Sequence, residues 1–381
     1  MTEPTDWKLG WAPQLDGLRG VATTCVMTMH FLSQFDAHVR ALAIGVDVFF
    51  ALSGFLITTL LFSELDRKGT ISIRKFYIRR AVRLFPALYA LLAVFLVFAV
   101  VAGGKDRSHY LAEVAAAFFY VYNFFVAWVG VTGNALIQLW TLSVEQQFYL
   151  LWPLVFVFAF KPKRTDTDLS ARLTALTGLL LAIVIVFPVL RMTLPHDLGA
   201  HTATSFVFGF SIMRPDAVAL GCLAAFAMRL WPPAAKPDAA GPSESKVSMA
   251  GNVALGVIVA AILLGSIDAF RPFVSPLSNL ATIACAVFVF DLVRNPDKPA
   301  ARVLRLKPIV WMGERSYAMY IWHLLLFFVV KGFVEGLLPG RTRLVEIAAF
   351  PLSMGLTILV SMASWRFVES PAMKLKKRFQ V

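Results

Sequence analysis

The chain has 381 residues, of which 58% are hydrophobic and 15% charged, and its mean hydropathy is +0.71. A water-soluble domain carries roughly a quarter charged residues, so this composition excludes an ordinary soluble globule. The formal charge of +13 would suit a nucleic-acid binder, but the Lys and Arg residues fall between apolar blocks, as in the loops of membrane proteins, and no nucleic-acid partner is expected.

Eleven apolar blocks follow in order: 20–35, 42–62, 81–102, 111–130, 142–160, 172–193, 212–230, 250–267, 277–293, 315–333 and 344–367. They are of the length that crosses a hydrocarbon core about 30 Å thick. An ionisable group inside such a block is expensive, so each one is a candidate functional residue. The first block follows a polar start without a small-residue cleavage site and reads as a retained span. It contains His30, with Arg19 eleven residues earlier. That spacing puts both on nearly one helix face, roughly 16 Å apart along the axis. A snorkelling arginine and a histidine packed against a carbonyl would give the same pattern. The second block carries Asp47, on the same face as Gly54. The third opens with Arg80 and Arg83 in KFYIRRAVRLFPALY. Three residues apart, they share a face that suits a phosphate-bearing ligand, although positive-inside anchoring also places arginine there.

The fourth block, 111–130, carries Asn123 and two tyrosines and runs into the polar Thr132–Asn134 stretch. The fifth contains Glu145 in LWTLSVEQQFYLLWP. That carboxylate would orient His30 or take a proton from it, or else cap the helix together with Ser143. In the seventh block Arg214 and Asp216 are candidates for the site, with a local ion pair as the plain alternative, and in the tenth Ser316, Tyr320 and His323 form one polar stripe facing the bundle interior. His323 there reads as a structural hydrogen-bonder rather than a second base. Cys25, Cys222 and Cys285 lie inside apolar stretches without metal spacing and read as inert thiols.

Positive-inside counting chooses between topologies. If all eleven blocks crossed, about 15 Lys and Arg would lie inside and 21 outside. If 111–130 instead dips in and returns, the count becomes about 27 inside and 9 outside. The expected fold is therefore an all-α integral membrane protein with about ten transmembrane helices and a re-entrant or partly inserted segment at 111–130. That segment is expected to line a cavity, because irregular backbone at membrane depth needs protein or water around it. The basic loops 63–83, 161–172 (with Lys161, Lys163 and Arg164), 229–249, 294–307 and 366–378 then share one side with both termini. The whole chain, 1–381, reads as one membrane-embedded domain with short cytoplasmic tails at 1–13 and 372–381 and a linker at 232–247.

Seven segments together carry a resemblance: QLDGLRGVA, GVDVFFALSGFLIT, FYIRRAVRLFPALY, LWTLSVEQQFYLLWP, RPDAVALGCLAA, SYAMYIWH and FVESP. In this order, from about residue 14 to 371, they resemble the membrane acyltransferase 3 family of bacterial O-acyltransferases. The resemblance implies ten helices in the cytoplasmic (inner) membrane and transfer of an acyl group, commonly acetyl, from cytoplasmic acyl-CoA. The implied acceptor is a sugar hydroxyl of an envelope glycan, lipopolysaccharide or exopolysaccharide, or sometimes a macrolide. The family's Arg-x10-His pattern matches Arg19 and His30, and its Arg-x-x-Arg pattern matches Arg80 and Arg83. Thus His30 is expected to be catalytic with Glu145 holding its tautomer, and the three arginines to serve acyl-CoA. Asp47, Asn123, Arg214, Asp216, Ser316, Tyr320 and His323 are expected to support the site or face the acceptor.

Two departures stand out. Gln146 replaces the second acid of the usual S-V-E-E-Q pattern, and the chain ends about ten residues after its last motif. The latter implies a form without the fused extracytoplasmic hydrolase-like domain of many longer members. A thioester donor makes a metal unnecessary, and none is expected. The partners expected are the bilayer, acyl-CoA and a glycan or lipid-linked sugar. The rival reading is a transporter or flippase, which would move cargo without consuming acyl-CoA.

Overall fold

The structure is a computed structural model that describes residues 9–33, 39–102, 104–130, 135–160, 166–194, 213–233, 242–267 and 274–376. Lys161, Lys163, Arg164, the Thr132–Asn134 stretch and residues 234–241 of the expected linker lie outside the described residues. No strand occurs among the described residues. In chain order the helices are α1 (Pro13–Leu32), α2 (Ile44–Lys68), α3 (Ile73–Ala102), α4 (Arg107–Phe118), α5 (Tyr122–Val129), α6 (Leu139–Ala159) and α7 (Asp166–Thr193). There follow α8 (Pro215–Leu230), α9 (Pro242–Gly265), α10 (Val274–Arg294), α11 (Pro299–Leu304), α12 (Lys307–Glu314), α13 (Ser316–Leu337), α14 (Thr342–Ser364) and α15 (Ser370–Lys376).

Eight of these helices are long and apolar enough to cross a membrane. Helices α1 and α8, of 20 and 16 residues, pack against them but are not among the eight. The outward faces carry large apolar side chains such as Val97, Phe158, Ile185, Phe333 and Ile347, which suits contact with lipid rather than water. Proline stands at the first turn of α1, α8, α11 and α12, where its missing N–H costs nothing. Helix α9 starts at Pro242, so the linker expected at 232–247 is shorter than its composition implied.

Residues 111–130 do not form one crossing helix. Helix α4 has 12 residues and α5 has 8, about 18 and 12 Å at 1.5 Å per residue, too short to span. The break sits at Tyr120, whose φ of 55° is left-handed. Its backbone is accounted for: Phe119, Tyr120 and Val121 donate to carbonyls of Ala115, Ala117 and Ala116, and the Tyr122 N–H donates to Ser143 Oγ at 3.2 Å.

One end of the bundle collects the start of α1 and the basic ends of α2, α8 and α10. There Gln14 donates to the Leu292 carbonyl at 3.1 Å, Arg229 forks onto Asp66 at 2.6 and 2.9 Å, and Arg294 donates to the Trp231 carbonyl. We call this the basic end, and the opposite one, where α2 and α8 begin, the far end. Helices α2 and α8 meet at interleaved glycines: a Cβ on Gly54 would overlap the Val218 carbonyl, and one on Gly221 the Ala51 carbonyl. Small residues that let backbones meet are how helices associate where lipid removes the hydrophobic incentive. Substituting Gly221→Leu should therefore cost several kcal/mol by overpacking. Gly256→Ala on α9, which has nothing within 4 Å, should change little. Thermal unfolding of both variants in detergent measures the contrast.

Candidate active site

Five helices enclose a chamber of about 80 Å³ in the bundle interior. Helix α1 contributes Arg19, α3 Arg80 and Arg83, α6 Thr141, Glu145 and Tyr149, α13 Ser316, Tyr317 and Tyr320, and α2 Ser53 beside Phe49 and Phe50. The three arginines thus converge on one chamber. Arg19 is held by Asp16 at 3.0 Å, and the Arg80 guanidinium lies 4.7 Å from the Tyr149 ring centre, a cation–π distance. Ser53 Oγ donates to Glu145 Oε1 at 2.7 Å. With that hydrogen committed, the 2.9 Å contact between Ser53 and Tyr149 must be a donation from the tyrosine hydroxyl.

Arg80 and Arg83 also line a second, wider cavity of about 530 Å³ toward the basic end, with Arg67, Lys68, Lys75 and Arg79. Among the described residues the one acid lining it is Glu64, 3.5 Å from Lys68 and 3.6 Å from Arg79. Cationic side chains in excess over one carboxylate make this a vestibule for an anion, and phosphate oxygens fit arginine forks best. The two arginines three residues apart are the shared wall between vestibule and chamber.

His30 has a different partner from the one expected. Its Nδ1 lies 2.9 Å from Nε2 of His323, and the rings stack with centroids 5.1 Å apart. Glu145, expected to hold this imidazole, binds Ser53 instead. Nor does Glu145 cap α6, since the helix begins at Leu139 and Glu145 lies two turns inside it. Nδ1 of His323 is 2.6 Å from the Tyr320 carbonyl. A carbonyl only accepts, so for neutral rings His323 carries its proton on Nδ1 and its Nε2 accepts from the His30 Nδ1–H. The lone pair of His30 is then on Nε2. Tyr320 lines the chamber with its side chain and anchors the histidine pair with its backbone, so the 316–320–323 stripe serves two neighbouring places.

The remaining candidates form separate groups. Asn123 lines neither the chamber nor the vestibule: it is fully buried and exchanges two amide hydrogen bonds with Gln147, at 3.1 and 2.8 Å. Gln147 also donates to the Tyr120 carbonyl at 2.9 Å, so this pair closes the broken segment against α6. Arg214 and Asp216 do not pair with each other. Pro215 starts α8 between them, and Arg214 sits in the left-handed region at φ 58°, which turns its side chain toward α2. It lies 3.0 Å from Asp47 and donates to Ser278 at 2.6 Å. Asp216 receives both guanidinium arms of Arg191, each at 2.7 Å. Arg191, Ser53 and Tyr149 were missed in the sequence. Arg191 carried a usable signal, a charge inside the 172–193 block; Ser53 and Tyr149 looked like ordinary membrane-helix polar residues.

Residues 13–366 match a family model described as an acyltransferase domain. The chain is similar to a peptidoglycan O-acetyltransferase, OatA, of Listeria monocytogenes serovar 1/2a (strain ATCC BAA-679 / EGD-e), 27% identical over 382 residues, covering 98% of this chain and 58% of the relative. It is similar also to an O-acetyltransferase, OatA, of Staphylococcus aureus (strain NCTC 8325 / PS 47), 32% identical over 384 residues, covering 96% and 57%. The chain thus spans less than three fifths of the length of these relatives. No solved structure matches it.

The Arg191–Asp216 pair yields a direct test. Asp216→Ala should destabilise the protein by about 3–5 kcal/mol, because it leaves a buried guanidinium without its carboxylate. The double substitution Arg191→Met, Asp216→Leu should recover most of that loss, as read by thermal unfolding in detergent.

Proposed function

The chain belongs to the acyltransferase family, and from that premise we propose that it transfers an acyl group, acetyl above all, from acyl-CoA to a sugar hydroxyl of a cell-envelope glycan. The observation that carries this reading is the pair Arg80 and Arg83, which line both the basic vestibule and the inner chamber. A donor with several phosphates and a thioester at the end of a long arm matches that plan. Its phosphates suit Arg67, Lys68, Lys75 and Arg79, and its arm passes between Arg80 and Arg83. The acyl end then meets the apolar walls Phe49, Phe50 and Leu84. Positive-inside bias puts the vestibule on the cytoplasmic side, where acyl-CoA is made, with both chain ends on that side of the cytoplasmic membrane. The relatives' names, O-acetyltransferase and peptidoglycan O-acetyltransferase, support the acyl group and the glycan acceptor.

The chemistry is a proton transfer coupled to acyl transfer. His30 Nε2 takes the proton of the acceptor hydroxyl as its oxygen bonds to the thioester carbon. The carbon–sulfur bond breaks, and CoA leaves as a thiolate that recovers the proton from His30. His323 orients the imidazole through Nδ1, the part that a carboxylate plays in other hydroxyl-activating sites. Glu145, tied to Ser53 and Tyr149, offsets part of the arginine charge and keeps Arg80 against the Tyr149 ring.

Membranes containing the protein, given acyl-labelled acetyl-CoA and an envelope glycan, should pass label to the glycan. His30→Ala should lower turnover by about 10²- to 10⁴-fold, the usual contribution of a general base. Arg80→Ala should raise KM for acetyl-CoA by about tenfold, in line with one lost charged hydrogen bond. His323→Ala should lower kcat with little change in either KM, and His323→Gln, which restores an acceptor for the His30 N–H, should recover part of it. Equal CoA release by wild type and His30→Ala, with glycan moved but unlabelled, would overturn this reading in favour of a transporter.

A further inference from the structure

The inner chamber ends against one face of α2. Val46, Phe49, Phe50 and Ser53 all line it, and steps of three and four residues put them on the same side of the helix. Ser53 lies beside Glu145 on the arginine side of the chamber. Val46 stands two turns further toward the far end, about 10 Å along the axis. Phe50 is fully buried, and its ring meets that of Trp140 edge-on with centroids 6.0 Å apart.

Behind that wall lies a third cavity, of about 180 Å³, which has no part in the donor path above. Val46 and Trp140 line it together with Ile44, Ala261, Leu277 and Ala281. Asp47 and Arg214 also border it, but they lie 3.0 Å apart and neutralise each other, so the surface it offers a guest is mainly apolar. Val46 is shared by both cavities, and Phe50 faces the chamber while its ring partner Trp140 faces the space behind. One layer of side chains therefore separates the two.

The sizes differ in a way that matters for a donor. The chamber, at about 80 Å³, holds two or three waters at roughly 30 Å³ each, which is the scale of an acetyl group. The cavity behind is about twice as large and would take several more methylenes. An acyl chain too long for the chamber thus has an apolar space ahead of it that it cannot enter. One methylene too many against a closed wall is rejected by about 10- to 200-fold, whereas each methylene admitted to an apolar cavity gains about fourfold.

We propose that Val46 and the Phe50–Trp140 ring pair are the stop that restricts the donor to short acyl groups, and that this stop alone keeps longer chains out of the far-end cavity. The proposal rests on the acyl-transfer reading and adds to it the residues that select the donor.

The test uses the purified full chain in detergent and two unreactive thioethers, S-ethyl-CoA and S-hexyl-CoA. Calorimetry measures their binding, and transfer of acetyl and hexanoyl groups from the matching thioesters to an envelope glycan is followed in parallel. Wild type should bind the ethyl thioether at least tenfold more tightly than the hexyl one. Val46→Ala opens the wall and should raise the hexyl-to-ethyl affinity ratio more than tenfold. Trp140→Phe thins the other half of the wall and should raise the ratio by a smaller step. Ala261→Leu fills the cavity behind: alone it should leave the ratio unchanged, and combined with Val46→Ala it should cancel the gain. A wild type that binds both thioethers equally, or a ratio that neither wall variant moves, overturns the proposal, and acetyl transfer that persists leaves the function standing. A ratio that shifts as expected in a protein that transfers no acyl group supports the stop and overturns the function. Binding of neither thioether overturns both.

Discussion

A charge carried into a medium that cannot solvate it must find a partner or a water-filled space, and most of this architecture follows from that constraint. Arg191 is satisfied by Asp216 and Arg214 by Asp47, which draws α7, α8, α2 and α10 together at the far end. Arg80 and Arg83 are satisfied differently. They have a cavity on either side and an aromatic ring rather than a full complement of carboxylates. Paired charges here hold helices together, whereas the incompletely paired ones define the place where an anion is wanted. The same distinction separates residues whose loss should unfold the protein from those whose loss should affect only its chemistry.

The histidine pair shows how little of a mechanism resides in a single side chain. His30 alone has two equivalent choices for its proton. The Tyr320 carbonyl removes the choice, acting through His323, because a carbonyl offers no hydrogen. Tyr320 therefore links the chamber wall to the protonation state of the base. Glu145, the more obvious orienter, lies on the arginine side of Tyr320, where a negative charge has more to stabilise.

That residues 111–130 are not one crossing helix was legible because the charge count over the whole chain improves when this block does not cross. Its environment was not. Asn123 looked like a cavity-lining residue, but an amide meets its needs equally well by exchanging two hydrogen bonds with another amide, and Gln147 supplies one. Arg214 and Asp216 looked like a local pair because they are neighbours in the chain. The proline between them starts a helix and directs them to different partners, a consequence of backbone geometry that spacing alone does not express.

Composition and block length determined that the chain is a helical membrane protein, since hydrophobic length against bilayer thickness needs no knowledge of packing. The distribution of Lys and Arg gave an expectation of which loops share an end, and the motifs picked out His30, Arg19, Arg80 and Arg83 because polar residues in apolar blocks are too costly to be casual. Only the tertiary structure decided who meets whom: His323 rather than Glu145 beside His30, Arg191 rather than Arg214 on Asp216, and Ser53 and Tyr149 around Glu145. Those choices depend on contacts between helices far apart in the chain. Rotation and height of one helix against another are set by side-chain packing and by glycine seams such as Gly54 with Gly221, which no local pattern encodes.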